Sequence, residues 1–307
     1  MSELRFDGRV AIVTGAGNGL GREHALLLAA RGAQVVVNDL GGALDGSGAS
    51  AGPAEQVVKE IEALGGSAVA DGNSVATPEG GEAIVATAIQ AFGRVDIVIN
   101  NAGILRDKSF QNMTPELAAA VLDVHLRGAF NVTRPAWVRM KEGGYGRVLM
   151  TASNAGILGN FGQSNYGAAK MGLVGLARVL AQEGVRYGIK VNVLAPLART
   201  RMTAELLGPI ADRLDPALVA PVAAWLVHED CPVSGEIYSA GGGRVARFFI
   251  GLTPGHLNPA LTPEDVREHF DRIRDEAGYT VPASSGEEVQ ALYQRLSTLG
   301  GGGEATS

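Results

Sequence analysis

One cysteine, Cys231, stands in 307 residues, so no intramolecular disulfide framework can staple the fold. Aromatic side chains make up only 5% of the chain, and the core must be built from small aliphatic ones. No run of about 18 apolar residues occurs, which leaves nothing to span a bilayer as a helix. Basic excess is missing too. The 26 Lys and Arg residues against 32 Asp and Glu residues give a net charge of −6. No overall positive field recruits nucleic acid, and an anionic substrate must meet a local basic patch. Residues 1–8 hold no apolar secretory stretch, and Ala305, Thr306 and Ser307 make no peroxisomal address. The expected compartment is therefore the cytoplasm. No metal site is expected.

What the chain has instead is 43 glycines and a regular alternation of patterns. Short, apolar, β-branched runs over 10–14, 34–39, 67–70, 95–100, 147–152 and 190–195 read as buried strands. A seventh is expected near 235–239. Helical patterns fall between them, over 21–31, 54–64, 80–92, 115–141 and 165–187. Such alternation means βαβ units and a parallel sheet with helices on both faces. Two stretches break it. Residues 40–53, rich in glycine, alanine and serine, are too long for a minimal turn and read as a mobile flap. Past residue 244, Thr262 and Pro263 look like a helix start, with the helix running to about 277 and another over 287–299. The expected organisation is a catalytic domain over 1–244, a helical extension over 245–299 and a disordered tail over 300–307.

Two constellations carry chemistry. The turn Gly15, Ala16, Gly17, Asn18, Gly19, Leu20, Gly21 follows the first strand and opens a helix. Its bare amides suit a pyrophosphate. Asp39 ends the second strand, where a carboxylate can accept hydrogen bonds from adenosine ribose hydroxyls and repel a 2′-phosphate. No lysine or arginine lies between Arg31 and Lys59, so NAD is favoured over NADP. Asn101, Ala102 and Gly103 close the fourth strand, and Ser74 and Val75 follow the third. The second constellation is Tyr166 and Lys170, spaced i and i+4 on one helix face, with Ser153 thirteen residues before the tyrosine. An ammonium beside a phenol favours the phenolate, and a lowered phenol can exchange a proton with an alcohol.

Together these residues resemble the short-chain dehydrogenase/reductase superfamily over roughly residues 5–245. A nearer likeness is to the (3R)-hydroxyacyl-CoA dehydrogenase parts of peroxisomal type 2 multifunctional enzymes. It rests on Asn38 to Gly42, Gly103 to Asp107, Asp123 to Leu126, Gly159 to Gln163 and Leu261 to Glu264. The resemblance implies a single Rossmann-type, doubly wound α/β domain. It implies Tyr166 as acid/base, Lys170 lowering its pKa and bonding the nicotinamide ribose, and Ser153 holding the substrate oxygen. It implies that Gly15, Asn18, Gly19, Leu20, Gly21, Asp39, Ser74, Val75, Asn101, Ala102, Gly103 and Thr200 contact NAD. His125 takes the place of a relay asparagine, and a buried structural histidine is an equal reading of it. Leu197 replaces the usual glycine after Pro196. Arg199 and Arg201 are candidate anchors for CoA phosphates, with surface charge as the alternative. The implied activity is oxidation of a (3R)-hydroxyacyl-CoA by a homodimer or homotetramer. A steroid or other secondary-alcohol dehydrogenase is the rival reading, and a non-catalytic NAD-binding module a further one.

Overall fold

The computed structural model of the chain describes residues 3–43, 45–199 and 208–300. Eight strands form one sheet among these residues: β1 (Val10–Thr14), β2 (Gln34–Asn38), β3 (Ser67–Asp71), β4 (Ile97–Asn100), β5 (Gly146–Thr151), β6 (Ile189–Pro196), β7 (Ile237–Gly241) and β8 (Arg244–Phe248). Their order is β3-β2-β1-β4-β5-β6-β7-β8, and the pairings from β3 to β7 are all parallel. β1, β2, β4 and β5 read as apolar runs because they are covered on both faces. Ala11, Ile12, Val13, Val36, Ile97, Ile99 and Leu149 are fully buried.

Helices α1 (Gly19–Ala30), α2 (Gly52–Ala63), α3 (Pro78–Phe92), α4 (Pro115–Leu122), α5 (Gly128–Gly143), α6 (Asn154–Ile157), α7 (Ser164–Gly184) and α8 (Ala220–Val227) fill the crossovers. α3 starts where Thr77 accepts from the Gly80 amide at 3.1 Å and Pro78 occupies the first turn, an ordinary cap. It stops at Gly93, in the left-handed region at φ 78°, as glycine permits. The strand order reverses between β1 and β4, and open α/β sheets bind ligands at such a switch point.

Several expectations change. The single helix over 115–141 is two, joined by a π-turn at Asp123–Arg127. The wider turn carries His125 inward, where it is buried. The helix over 165–187 ends at Gly184 and tightens into a 3-10 turn at Val185–Tyr187. β8 is an added edge strand. Gly242 and Gly243 take φ 58° and 81°, so a two-residue primed turn returns the chain antiparallel.

The chain divides between Arg247 and Phe248 into two compact units. In the second, Leu252 and Thr280 exchange two 2.9 Å backbone hydrogen bonds. Thr262 does cap a helix, but that helix breaks at His269 into α9 (Pro263–Glu268) and α10 (Phe270–Arg274). The last is α11 (Ser285–Gly300). Residues 301–307 of the expected tail lie outside the described residues. No described helix is long and apolar enough to cross a membrane.

Candidate active site

The turn after β1 leaves no room for side chains. Gly15 has φ 64°, and a Cβ there would sit 2.7 Å from the Ala102 Cα. A Cβ on Gly21 would lie 2.2 Å from the Gly15 carbonyl oxygen. Asn101 fixes the turn from the β4 side. Its Nδ2 donates to the Thr14 and Gly15 carbonyls, both at 3.0 Å. The Thr14 hydroxyl oxygen in turn accepts the Asn101 and Ala102 amides at 3.0 and 3.1 Å. The result is a rigid cradle at a helix N-terminus, which suits a diphosphate.

Asp39 reaches the same turn. Its Oδ2 accepts the Gly17 amide and its Oδ1 the Gly41 amide, each at 2.7 Å. One carboxylate thus orders both the glycine turn and the base of the flap. The flap itself is an internally bonded loop: Ser50 N donates to Leu40 O at 2.9 Å, and Ala43 N to Ser47 O at 2.8 Å. Ser74 accepts the Ala76 amide at 3.2 Å, and Asn131 Nδ2 donates to Val75 O at 2.9 Å.

Gly15, Asp39, Ser74, Val75 and Asn101 line a cleft of roughly 710 Å³ that also contains Ser153, Tyr166, Lys170 and His125. Ser153 follows β5 and caps α6, its Oγ accepting the Ala155 amide at 3.1 Å. Tyr166 and Lys170 lie on the first turns of α7. Asn165, beside the tyrosine, donates from Nδ2 to the Arg106 carbonyl at 3.0 Å and to that of Leu117 at 3.2 Å. This fastens the start of α7 to the loop after β4.

The electrostatics depart from the expectation that Lys170 pulls Tyr166 down. Burial raises the phenol pKa, and a hydrogen bond from Ser153 works in the opposite direction. Lys170 is itself pushed down to about 7 by burial. Its Nζ donates to the Thr151 carbonyl and lies 5.5 Å from the Tyr166 ring centroid. Burial is the largest influence on both groups and outweighs any attraction across that separation. Spacing on a helix could not reveal how deep both groups sit.

His125 is neutral in this setting. Burial lowers its pKa well below the ordinary value, and Lys170 adds repulsion. Its Nε2 lies 3.0 Å from the Ile104 amide and 2.8 Å from the Ile104 carbonyl oxygen; a single tautomer serves one of them. Leu197 needs no left-handed turn. Its amide donates to the Ala240 carbonyl at 2.7 Å, which prolongs the pairing of β6 with β7.

Not every candidate is brought here. Arg199 pairs with Asp212 at 2.9 Å and does not line the cleft. Thr200 and Arg201 lie outside the described residues. Arg106, which sequence reasoning passed over, does line the cleft. It stands three residues after Gly103, inside the Gly103 to Asp107 segment that carried the nearer likeness.

Residues 9–208 match the short chain dehydrogenase family. The chain is 50% identical over 272 residues to a putative short-chain type dehydrogenase/reductase of Mycobacterium tuberculosis, covering 88% of this chain and 95% of that one. It is 47% identical over 302 residues to the peroxisomal multifunctional enzyme type 2 of Mus musculus, covering 95% of this chain and 41% of that one. The full-length peroxisomal multifunctional enzyme type 2 of Drosophila melanogaster superposes with a TM-score of 0.81 at 39% identity, over 96% of this chain and 51% of that one. The chain therefore spans only about half, or less, of these two multifunctional enzymes.

Proposed function

The chain belongs to the short-chain dehydrogenase family, and from that premise we propose that it oxidises a (3R)-hydroxyacyl-CoA to the 3-oxoacyl-CoA with NAD, as a step of acyl-chain β-oxidation. One observation carries the reading: Ser153, Tyr166 and Lys170 share a single cleft with the glycine cradle and Asp39. The likeness to multifunctional enzymes of peroxisomal name supports the choice of substrate.

The residues fit a dinucleotide. Glycine at 15 and 21 lets the turn pack tightly against Ala102 and Asn101, which leaves its backbone amides bare for a phosphate, and Asp39 offers its remaining lone pairs to ribose hydroxyls at the end of β2. With no cation between residues 31 and 59 to welcome a 2′-phosphate, NAD is the form chosen. When bound, NAD supplies the hydride acceptor. Gly19, Leu20, Ser74, Val75 and Thr200 are further contacts in this proposal.

The chain's own residues do the rest. Ser153, its oxygen fixed by the Ala155 amide, orients the substrate hydroxyl beside Tyr166. Tyr166 receives the hydroxyl proton at its phenolic oxygen, and returns it in the reverse direction. A buried phenol with a raised pKa is a competent acid; acting as a base requires positive charge nearby, which protonated Lys170 supplies. His125 holds the Ile104 backbone under the cleft, as a positioning residue. Ile104, Leu105, Leu158 and Leu197 give the cleft apolar walls suited to an acyl chain. Holding alcohol and acceptor together provides the proximity gain.

The test is spectrophotometric. Purified protein with NAD and a (3R)-hydroxyacyl-CoA should form NADH, and a steroid alcohol at equal concentration should form little. Turnover of the steroid alone would replace this reading.

A further inference from the structure

We propose that Arg106 is a phosphate-binding residue at the flap-covered side of the cleft, and that the same side chain clasps the flap over the bound ligand. The inference rests on the proposed function for its choice of ligands. Its ligand is a phosphate ester, carried either by the CoA thioester or by the dinucleotide.

The backbone beneath Arg106 is fixed from three sides. Ile104 is hydrogen-bonded to His125. The Arg106 carbonyl accepts from Asn165 on the catalytic helix at 3.0 Å. The Asp107 carboxylate accepts from Gln163 at 2.7 Å, and the Lys108 amide donates to Gly162 O at 2.9 Å. The side chain thus projects from a rigid base coupled to Tyr166.

Above it lies the flap. Arg106 Nε donates to the Asp45 carbonyl at 2.9 Å. The next residue, Gly46, approaches so closely that a Cβ there would meet the Ile104 side chain at 3.1 Å. Gly42, Ala43 and Gly46 of the flap line the cleft together with Arg106, so the loop roofs the ligand space. The loop's own bonds make it a unit: Asp45 Oδ1 accepts both the amide and the hydroxyl of Ser47, at 2.9 and 2.7 Å.

The guanidinium has five N–H donors, and the bond to Asp45 O uses one. Arg106 makes no ion pair among the described residues. Of the described residues lining the cleft, only Lys170 is also a cation, and it is buried against the Thr151 carbonyl. Arg106 is partly exposed. Its charge acts on the exposed Asp45 carboxylate of the flap without forming a salt bridge, and in a protein of net charge −6 a partly exposed guanidinium facing a ligand cleft is the group that phosphate geometry selects. A phosphate bound there would hold Arg106 in place and so hold the flap shut.

The experiment is direct binding by calorimetry to wild type, Arg106→Gln and Arg106→Lys, with free CoA and with NADH as separate probes. Adenosine, which lacks phosphate, is the control, and turnover is not needed. Arg106→Gln should weaken one phosphate probe at least tenfold, with a shallower salt dependence, leave adenosine within twofold, and be partly restored in Arg106→Lys. Loss confined to CoA identifies the thioester as the source, and loss confined to NADH identifies the dinucleotide. Phosphate probes unchanged within twofold, or adenosine weakened equally, would overturn the assignment. Failure of wild type to oxidise hydroxyacyl-CoA would overturn the proposed function without touching this result.

Discussion

Tyr166 and His125 meet edge to face, with ring centroids 5.2 Å apart and planes at 86°. The contact belongs to the ring of Tyr166, whereas the chemistry assigned to this residue belongs to its hydroxyl. Such aromatic pairs are worth about 0.5–1.5 kcal/mol. Tyr166→Phe keeps the ring and removes only the proton-transfer group. Turnover should fall about 10²–10⁴-fold, while NADH affinity stays within about threefold and the urea midpoint hardly moves. A phenylalanine variant keeping more than a tenth of the wild-type rate would remove Tyr166 from its role.

Asp39 should select the dinucleotide. Asp39→Ala with Leu40→Arg removes the repulsion and supplies a phosphate partner. Losing charge-assisted hydrogen bonds costs about 1.5–3 kcal/mol, so NAD should bind roughly tenfold or more weakly while NADP gains. Asp39 also bonds the Gly17 and Gly41 amides, so part of the NAD loss will come from a looser turn. Fluorescence titration with NADH and NADPH checks it. A wild-type preference for NADPH would reverse the reading.

His24 should make the protein acid-sensitive. Both its ring nitrogens are buried without a partner, and burial alone pushes its pKa down to about 4. The unfolded chain takes up this proton near pH 6.5 and the folded chain only near 4. Stability from the neutral ring is therefore full above pH 6.5 and is lost as pH falls toward 4, by up to about 3 kcal/mol. His24→Leu fills similar space without a titrating group. Urea melts from pH 8 to 4.5 should show the variant losing less than wild type. Parallel profiles would contradict the burial.

The assembly should be a homodimer or homotetramer. Phe130 and Val138 on α5, and Met171 and Val179 on α7, are at least 40% exposed. Apolar positions on long helices outside the core point to a partner surface. Light scattering should give at least twice 31.7 kDa, and Val179→Glu with Phe130→Glu should shift it toward monomer. A stable monomer at micromolar concentration would count against it.

Strands buried on both faces were legible because apolar, β-branched residues dominate them. The run over 10–14 is β1 as it stands. Tyr166 and Lys170 were legible because a fixed helical spacing puts them side by side. What escaped depended on depth and on distant neighbours. The π-turn at Asp123–Arg127 carries no glycine or proline, so periodicity alone ran straight through it. The orphaned His24 shares its buried stripe with Gly21, Ala25 and Leu28, a spacing that could have flagged it. The raised Tyr166 pKa and the role of Arg106 arise from groups far away in sequence. The Gly242 and Gly243 pair was a hairpin signal present in the sequence and not used.

The central claim is that carbon 3 of a (3R)-hydroxyacyl-CoA gives up its hydrogen to the nicotinamide. The most direct measurement uses that substrate with deuterium at carbon 3. Wild-type protein with unlabelled NAD should yield NADH heavier by one mass unit together with 3-oxoacyl-CoA, with Tyr166→Phe giving neither at a comparable rate. Unlabelled NADH, or no reaction with this substrate while another alcohol is oxidised, would contradict it.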